Sequence, residues 1–458
     1  MSKHFHFVGI GGIGMGAIAS LLLAKGHRVS GSDVKENKIT HDLKEKGAVI
    51  FIGHQADHVG DADVVIYSSA VKSDNPEIKI AKQKKITLFQ RAQMLANLAS
   101  GQKCITVAGA HGKTTTTSMI SHLLIKAGLE PTTAVGGIIQ GQTYAASLGK
   151  GHYFVAEVDE SDGSFLNFSP YYSVITNIDR EHLDYYGTFE KLLKAYRKFI
   201  DQTNFDGRIF TYAGDPYLAQ LLKESKREYT SYDLSEEADV YAKDISVDGF
   251  TSRFRCIYHQ KDIGFVTLRV PGHHNILNAL ACICLGMALH IDFDVINMSL
   301  NKYEGVQRRF QLKADTQGIL VVDDYGHHPT EIQATLKAAR SFGRKRLIVA
   351  FQPHRYSRTK LLLNDFIEPL CLSDHLIITD IYAASEKPIP GVSAKVLYEK
   401  IKKLNRMPVE YIRKELITDH LFNMAREGDL ILTLGAGDIN QISDQLAEKF
   451  NQVYAPKT

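Results

Sequence analysis

The amino-acid sequence predicts an α/β protein of three domains, with the middle domain built to hold a nucleoside triphosphate. Three observations predict this. Two glycine-rich turns, residues 9–16 and 109–112, each follow an apolar strand and open a helix. From residue 319 onward, strand-like and helix-like segments alternate almost to the end. The length, 458 residues, exceeds what one hydrophobic core organises. The expected divisions are residues 1–99, 100–306 and 307–458.

Residues 1–99 read as a Rossmann-like unit. A strand over residues 4–10 runs into Gly9-Ile-Gly11-Gly12-Ile-Gly14-Met-Gly16, and a helix over 17–25 is closed by Gly26. A second strand, 28–31, leads to Asp33, which lies 19 residues after Gly14. Glycines here admit a diphosphate and an acidic residue meets a ribose, a pattern that suits a dinucleotide or the diphosphate of a UDP-sugar. A third strand, 63–67, ends in Ser68-Ser69-Ala70, small hydroxyl residues at the carboxyl edge where such sheets bind ligands.

The middle domain is organised around residues 104–118, CITVAGAHGKTTTTS. An apolar strand meets Gly109-Ala110-His111-Gly112, then Lys113, Thr114 and Thr115 start a helix. Backbone N–H groups wrap phosphates, the helix N-terminus and the lysine supply positive charge, and the first threonine hydroxyl binds Mg²⁺. The loop is shorter than the usual triphosphate motif, because Val107 stands where its first glycine belongs. Gly136 and Gly137 follow a further strand and allow close approach of a ligand. Residues 152–162, HYFVAEVDESD, deliver acidic groups at a strand end. Glu157, flanked by apolar residues, is the expected Mg²⁺ carboxylate, whereas Asp159 and Glu160 read as a solvated turn. His182, after the next strand, is a second candidate metal ligand. Short alternating segments at 207–211, 240–245, 252–258 and 264–270 predict a small antiparallel appendage. Pro271 and Gly272 then open a long buried helix carrying Asn275. Arg308 and Arg309 read as cations aimed at phosphates.

The last domain is again Rossmann-like α/β. Its strand ends carry Asp324-Tyr325-Gly-His327-His328 and His354-Arg355-Tyr-Ser-Arg358. Arg355 and Arg358, three residues apart, suit a shared grip on one carboxylate.

Composition excludes several classes. Apolar residues make up 44% and charged residues 23%, with a net charge of +3 and no low-complexity tract, so there is no nucleic-acid footprint. The longest apolar stretch, 276–289, is too short to insert in a membrane. Residues 1–7 lack an export-signal pattern. Five cysteines (104, 256, 282, 284, 371) form no C-x-x-C pair and read as reduced, placing the chain in the cytoplasm. Two other functions fit parts of the chain. An NAD-dependent oxidoreductase accounts for the first glycine loop but leaves Lys113 and Glu157 idle. A nucleotide-dependent switch accounts for the middle domain but not for the Tyr325 and Arg355 clusters.

The succession GIGGIGMG, SGSD, SSA, NPEI, GAHGKTTT, AEVDESDGSF, TNIDREHLD, PGHHNILNALA, RRF, VDDYGHHPTEI, FQPHRYSRT and LGAGDI resembles the Mur ligases essentially end to end. That resemblance implies an ATP- and Mg²⁺-dependent ligase of peptidoglycan precursor synthesis, monomer or homodimer. Its substrates would be UDP-N-acetylmuramate and L-alanine. Residue by residue, it implies UDP-sugar binding by Gly11, Gly12, Gly14, Asp33, Ser68, Ser69, Gly136 and Gly137. ATP would be held by the 109–115 loop with Asn275 at adenine, Arg309 at phosphate and Asp324 at ribose. Thr114, Glu157 and His182 would hold Mg²⁺. Tyr325, His327, His354, Arg355 and Arg358 would surround the amino acid, with His327 or His354 assisting loss of its proton. Lys113, Glu157, His182, His327 and His354 thus form the expected catalytic set. Several sister ligases carry a carbamylated lysine 14 residues after the position of His182, where the chain has Tyr196. The expectation is therefore an unmodified helix.

Overall fold

The computed structural model describes residues 2–68, 70–140 and 145–454, with Asp184 described by its backbone alone. Three sheets are present among the described residues. The first comprises β1 (His4–Val8), β2 (Arg28–Asp33), β3 (Val49–Ile52), β4 (Val64–Tyr67) and β5 (Thr87–Gln90). The second contains β6 (Lys103–Ala108), β7 (Thr132–Ala134), β8 (Ala146–Ser147), β9 (Tyr153–Glu157), β10 (Tyr172–Ile175), β11 (Arg208–Tyr212), β12 (Tyr229–Asp233), β13 (Val240–Asp248), β14 (Thr251–Tyr258) and β15 (Lys261–Leu268). The third contains β16 (Gln311–Thr316), β17 (Ile319–Asp324), β18 (Arg346–Phe351), β19 (His375–Ile378), β20 (Val409–Tyr411) and β21 (Asp429–Leu434).

The chain forms two compact units. The first holds residues 1–244, 254–266 and 277–304, and the second 245–253, 267–276 and 305–458. In the first unit the opening sheet has the all-parallel order β3-β2-β1-β4-β5. Its change of direction beside β1 is where such sheets leave a crevice at the strand carboxyl ends. The helix Ile13–Ala24 begins inside the glycine loop, four residues earlier than the periodicity suggested, because Gly12 serves as its N-cap.

The second sheet runs β15-β14-β13-β12-β11-β10-β6-β9-β7-β8. The segment at 207–211 was expected in the antiparallel appendage. It is β11, parallel to both β10 and β12, because the helix Pro216–Glu224 carries the chain back between them. Only β13, β14 and β15, joined by two-residue loops, match the expected hairpins. One apolar core spans the first two sheets, from Phe7, Ile18 and Leu22 to Phe154, Phe165 and Phe199.

In the second unit the sheet order is β16-β17-β21-β18-β19-β20, with β16 alone antiparallel. Leu347, Val349 and Phe351 of β18 face one core layer, and Ile348 and Ala350 the other. This alternation is the period-2 signature of a strand buried on both faces. After β18 the chain forms two short helices, Tyr356–Leu361 and Ile367–Leu370.

Candidate active site

Two helices of the first unit start behind glycine turns with no side-chain cap and no acidic residue in the first turn, at Gly12 and at Gly112. Their first N–H groups and dipole ends are thereby left for an anion. At the second turn, Gly109 has φ +128°, and a Cβ there would stand 2.1 Å from Thr176 Oγ1. Asn177 clamps the loop. Its Oδ1 accepts from His111 N (2.9 Å), its Nδ2 donates to His111 O (3.1 Å), and its carbonyl accepts from Ala110 N (3.0 Å). Asn278 backs the same loop, since a Cβ on Gly112 would lie 2.7 Å from its Oδ1. Thr116 Oγ1 donates to that oxygen (3.1 Å).

Lys113 Nζ donates to Gly109 O (2.5 Å), Ala110 O (3.3 Å) and both oxygens of Glu160 (2.9 and 3.0 Å). Glu160 is 1% exposed, so the solvated-turn reading of this residue was wrong. It extends the buried period-2 row Phe154, Ala156, Val158 past the strand end, and that row is the signal that could have found it. Burial opposes charge on Lys113, but Glu160, Asp159 and Glu157 outweigh it and raise its pKa. Asp159 is held below the usual carboxylate range, against burial, chiefly by Lys113.

Glu157 accepts from Thr114 Oγ1 (3.1 Å) and Gly136 N (2.7 Å). The close approach expected at Gly136 is made by this carboxylate, 2.3 Å from where a Cβ would sit. His182, at a positive φ of 58°, points Nε2 toward Glu160 (3.6 Å) and Glu181 (3.5 Å). Those three residues offer atoms that all lie within 4.8 Å of one another. Glu160 therefore takes the position beside His182 that had been expected of Glu157. Burial lowers the His182 pKa, yet the hydrogen bond and charge of Glu160, with Glu181, bring the balance above its ordinary value. Tyr196 is fully buried and meets Phe165 edge-on (5.3 Å), while Lys194 and Lys198 on the same helix are exposed.

At the first glycine turn, Asp33 Oδ2 accepts from Gly11 N (2.8 Å) and Asn37 Nδ2 donates to Gly11 O (3.0 Å). Asp33 thus shapes the loop itself. Arg91, which the sequence reading passed over, lies along the turn: a Cβ on Gly14 would stand 3.1 Å from its Nη1. Ser68 flanks Gly9, whereas Ser69 lies outside the described residues.

In the second unit, Asp324 is buried and spoken for: Oδ1 accepts from Gly326 N (2.8 Å) and Thr335 Oγ1 (3.1 Å), and Oδ2 from Phe310 N (2.8 Å). Burial pushes its pKa up to about 6. Arg308, expected at phosphates, is instead tied into its own unit. It donates to Asp323 Oδ2 (3.2 Å), Gly435 O (2.6 Å) and Gly437 O (3.0 Å). Arg309 lies 3.7 Å from Glu331 and over the Tyr325 ring (5.2 Å). Asn275 Nδ2 donates to Pro271 O (2.7 Å), holding the turn that opens its helix.

Tyr325, His327 and His354 form a chain of edge-on rings, each pair 5.5 Å between centroids. Arg358 Nη1 lies 3.2 Å from His354 Nδ1, and Arg355 stands exposed at a positive φ of 68°. Burial, with Arg358 adding to it, lowers His327 to about 3 and His354 to about 4. In both cases burial favours the neutral ring.

Two anion-binding helix starts, a lysine–carboxylate centre and an arginine–histidine cluster define an α/β enzyme for nucleotide-dependent chemistry on an acidic substrate. Models of the Mur ligase family, catalytic domain, the Mur ligase middle domain and the Mur ligase, glutamate ligase domain match residues 4–103, 107–286 and 308–437. The UDP-N-acetylmuramate–L-alanine ligase of Geotalea uraniireducens is 46% identical over 448 residues, 98% of each chain. That of Trichlorobacter lovleyi is 46% identical over 450 residues, 98% of this chain and 99% of its own. The crystal structure of UDP-N-acetylmuramate–alanine ligase from Thermotoga maritima superposes with a TM-score of 0.84 at 31% identity, covering 98% of this chain and 100% of that one. The chain belongs to the Mur ligase family.

Proposed function

We propose that the protein joins L-alanine to the lactyl carboxylate of UDP-N-acetylmuramate at the expense of ATP, releasing ADP and phosphate, as a cytoplasmic step of peptidoglycan precursor synthesis. The observation that carries this reading is the near full-length match to ligases of that name. No helix among the described residues is long and apolar enough to cross a membrane, and all five cysteines are free, which suits the cytoplasm. The three family models support domain boundaries near 99/100 and 306/307.

The residues divide the work as follows. The uncapped helix start at Gly12, with Arg91 beside it, suits the diphosphate of the UDP-sugar. The loop 109–115 suits the ATP phosphates, and Lys113, which keeps its proton, supplies a fixed positive charge as the phosphoryl group moves to the carboxylate. Mg²⁺ fits the oxygen donors Thr114 and Glu157, which lie 3.1 Å apart, and the group Glu160, Glu181 and His182. When bound, Mg²⁺ supplies further neutralisation of phosphate charge. The acyl phosphate is then attacked by the amine of alanine, its carboxylate gripped by Arg355 and Arg358, and the C–O bond to phosphate breaks. Neither His327 nor His354 is basic enough to hold the amine's proton. The departing phosphate, which titrates much nearer neutrality, is the better acceptor.

Phosphate release from ATP should require both UDP-N-acetylmuramate and an amino acid, with L-alanine the best substrate. Release that is independent of either, or an equal response to all amino acids, would overturn the assignment.

A further inference from the structure

We propose that His375, Glu410 and His420 form a binding site for a divalent transition-metal ion of the Zn²⁺ type, remote in the fold from the amino-acid cluster. The three side chains come from separate elements: the first residue of β19, the middle of β20, and the helix Lys414–Met424. His375 Nε2 lies 2.6 Å and His420 Nε2 3.2 Å from the same oxygen, Glu410 Oε1. All three ligand atoms fall within 4.8 Å of one another. Around a tetrahedral Zn²⁺ with bonds of about 2.0–2.2 Å, neighbouring ligand atoms stand about 3.3 Å apart. Both spacings to Glu410 Oε1, 2.6 and 3.2 Å, fall below that value, so an ion is seated once the carboxylate draws back from the two rings by a side-chain adjustment.

The backbones that carry these groups are fixed. Leu376 and Ile377 beside His375, and Ile417 and Leu421 around His420, are fully buried. Two imidazoles and one carboxylate are a donor set that favours Zn²⁺ over Mg²⁺, which prefers all-oxygen shells. The three side chains are half-buried, with 16–39% exposure, which leaves room for water to complete the shell. They belong neither to the triphosphate centre nor to the arginine–histidine cluster, whose residues follow the carboxyl ends of β17 and β18. The ion would join an edge strand of three residues, β20, to a helix. Without it the strand is held by its ladder to β19, the contacts of Glu410 and a hydrogen bond from Tyr411 to Asp380.

The test is a calorimetric titration of chelator-stripped full-length protein with Zn²⁺ alone, in excess Mg²⁺. The wild type should take up one equivalent that Glu410→Gln and His420→Ala both lose. His182→Ala, which alters a different histidine–carboxylate group, should retain it. Zn²⁺ should also raise the melting temperature of the wild type more than that of Glu410→Gln, an isosteric change at a partly exposed site. Ligation turnover in both remote variants should match the wild type and report their folding. Superimposable titrations of wild type and Glu410→Gln would overturn the proposal, as would saturation only at millimolar Zn²⁺.

Discussion

Replacing Glu160 by glutamine removes one negative charge from a buried pair while keeping its shape. Lys113 Nζ sits 2.9 and 3.0 Å from the two carboxylate oxygens. Breaking such a pair costs about 3–5 kcal/mol, because the surviving charge stays buried. The amide oxygen and the carbonyls of Gly109 and Ala110 still accept from the ammonium, so the lower end of that range applies. About 3 kcal/mol corresponds to a melting shift of roughly 5 °C for a unit of this size. A second signature comes from His182, whose pKa Glu160 raises against burial. A histidine with a raised pKa lends stability that is fully present below its unfolded value of about 6.5 and is lost as pH rises through the folded one. The penalty of Glu160→Gln should therefore be larger at pH 6 than at pH 8. Urea unfolding at both pH values measures this, and phosphate release should fall by on the order of 10²–10³-fold. A variant that unfolds like the wild type at both pH values and turns over within a few-fold of it would refute the account of the centre.

Arg91→Ala should weaken UDP-sugar binding about tenfold or more, the worth of one charged hydrogen bond, and leave ATP binding unchanged. Calorimetry with each nucleotide separates the two, and equal losses would show that Arg91 merely supports the fold. Arg358→Lys should raise the KM for alanine far more than that for ATP, since lysine lacks the planar fork. Because His327 is held near 3, the unfolded chain binds a proton that the folded one refuses, and stability is lost progressively as pH falls below about 6.5. His327→Gln should flatten that acid limb in urea unfolding, and an unchanged limb would show the ring is not kept neutral by the fold. With Tyr196 buried and Lys198 exposed, turnover should be indifferent to removal of bicarbonate, and Lys198→Ala should be mild. Activity restored by bicarbonate would contradict this.

The two glycine turns, the triphosphate helix and most strands of the last domain were legible because each carries its signal within a dozen residues. The edge strands β3, β5 and β20, of three or four residues, were not, since so short a run shows no period. β11 was assigned to the wrong part of its sheet because local alternation does not reveal whether a neighbour is parallel. In the site, Lys113, Thr114 and Glu157 were legible from type and place. Asn177 and Asn278 were not, as each acts on a loop more than 60 residues away. Arg308 and Arg309 look alike in sequence, and only the partners supplied by the fold show that Arg308 belongs to Asp323.

The backing of the triphosphate loop has a consequence for how the chain is made. Every residue that would touch a phosphate in that loop has been synthesised by Thr115. Thr116 meets Asn278 only 162 residues later, and Ser118 meets Tyr303 185 residues later. At about 5–20 residues per second, the loop waits roughly 8–30 s before Asn278 is even polymerised. Throughout that interval the nascent chain carries the nucleotide motif with no support behind Gly112. A ribosome-bound fragment ending before residue 278 should thus fail to retain ATP, and competence should arrive abruptly once the segment bearing Asn278 and Tyr303 has emerged.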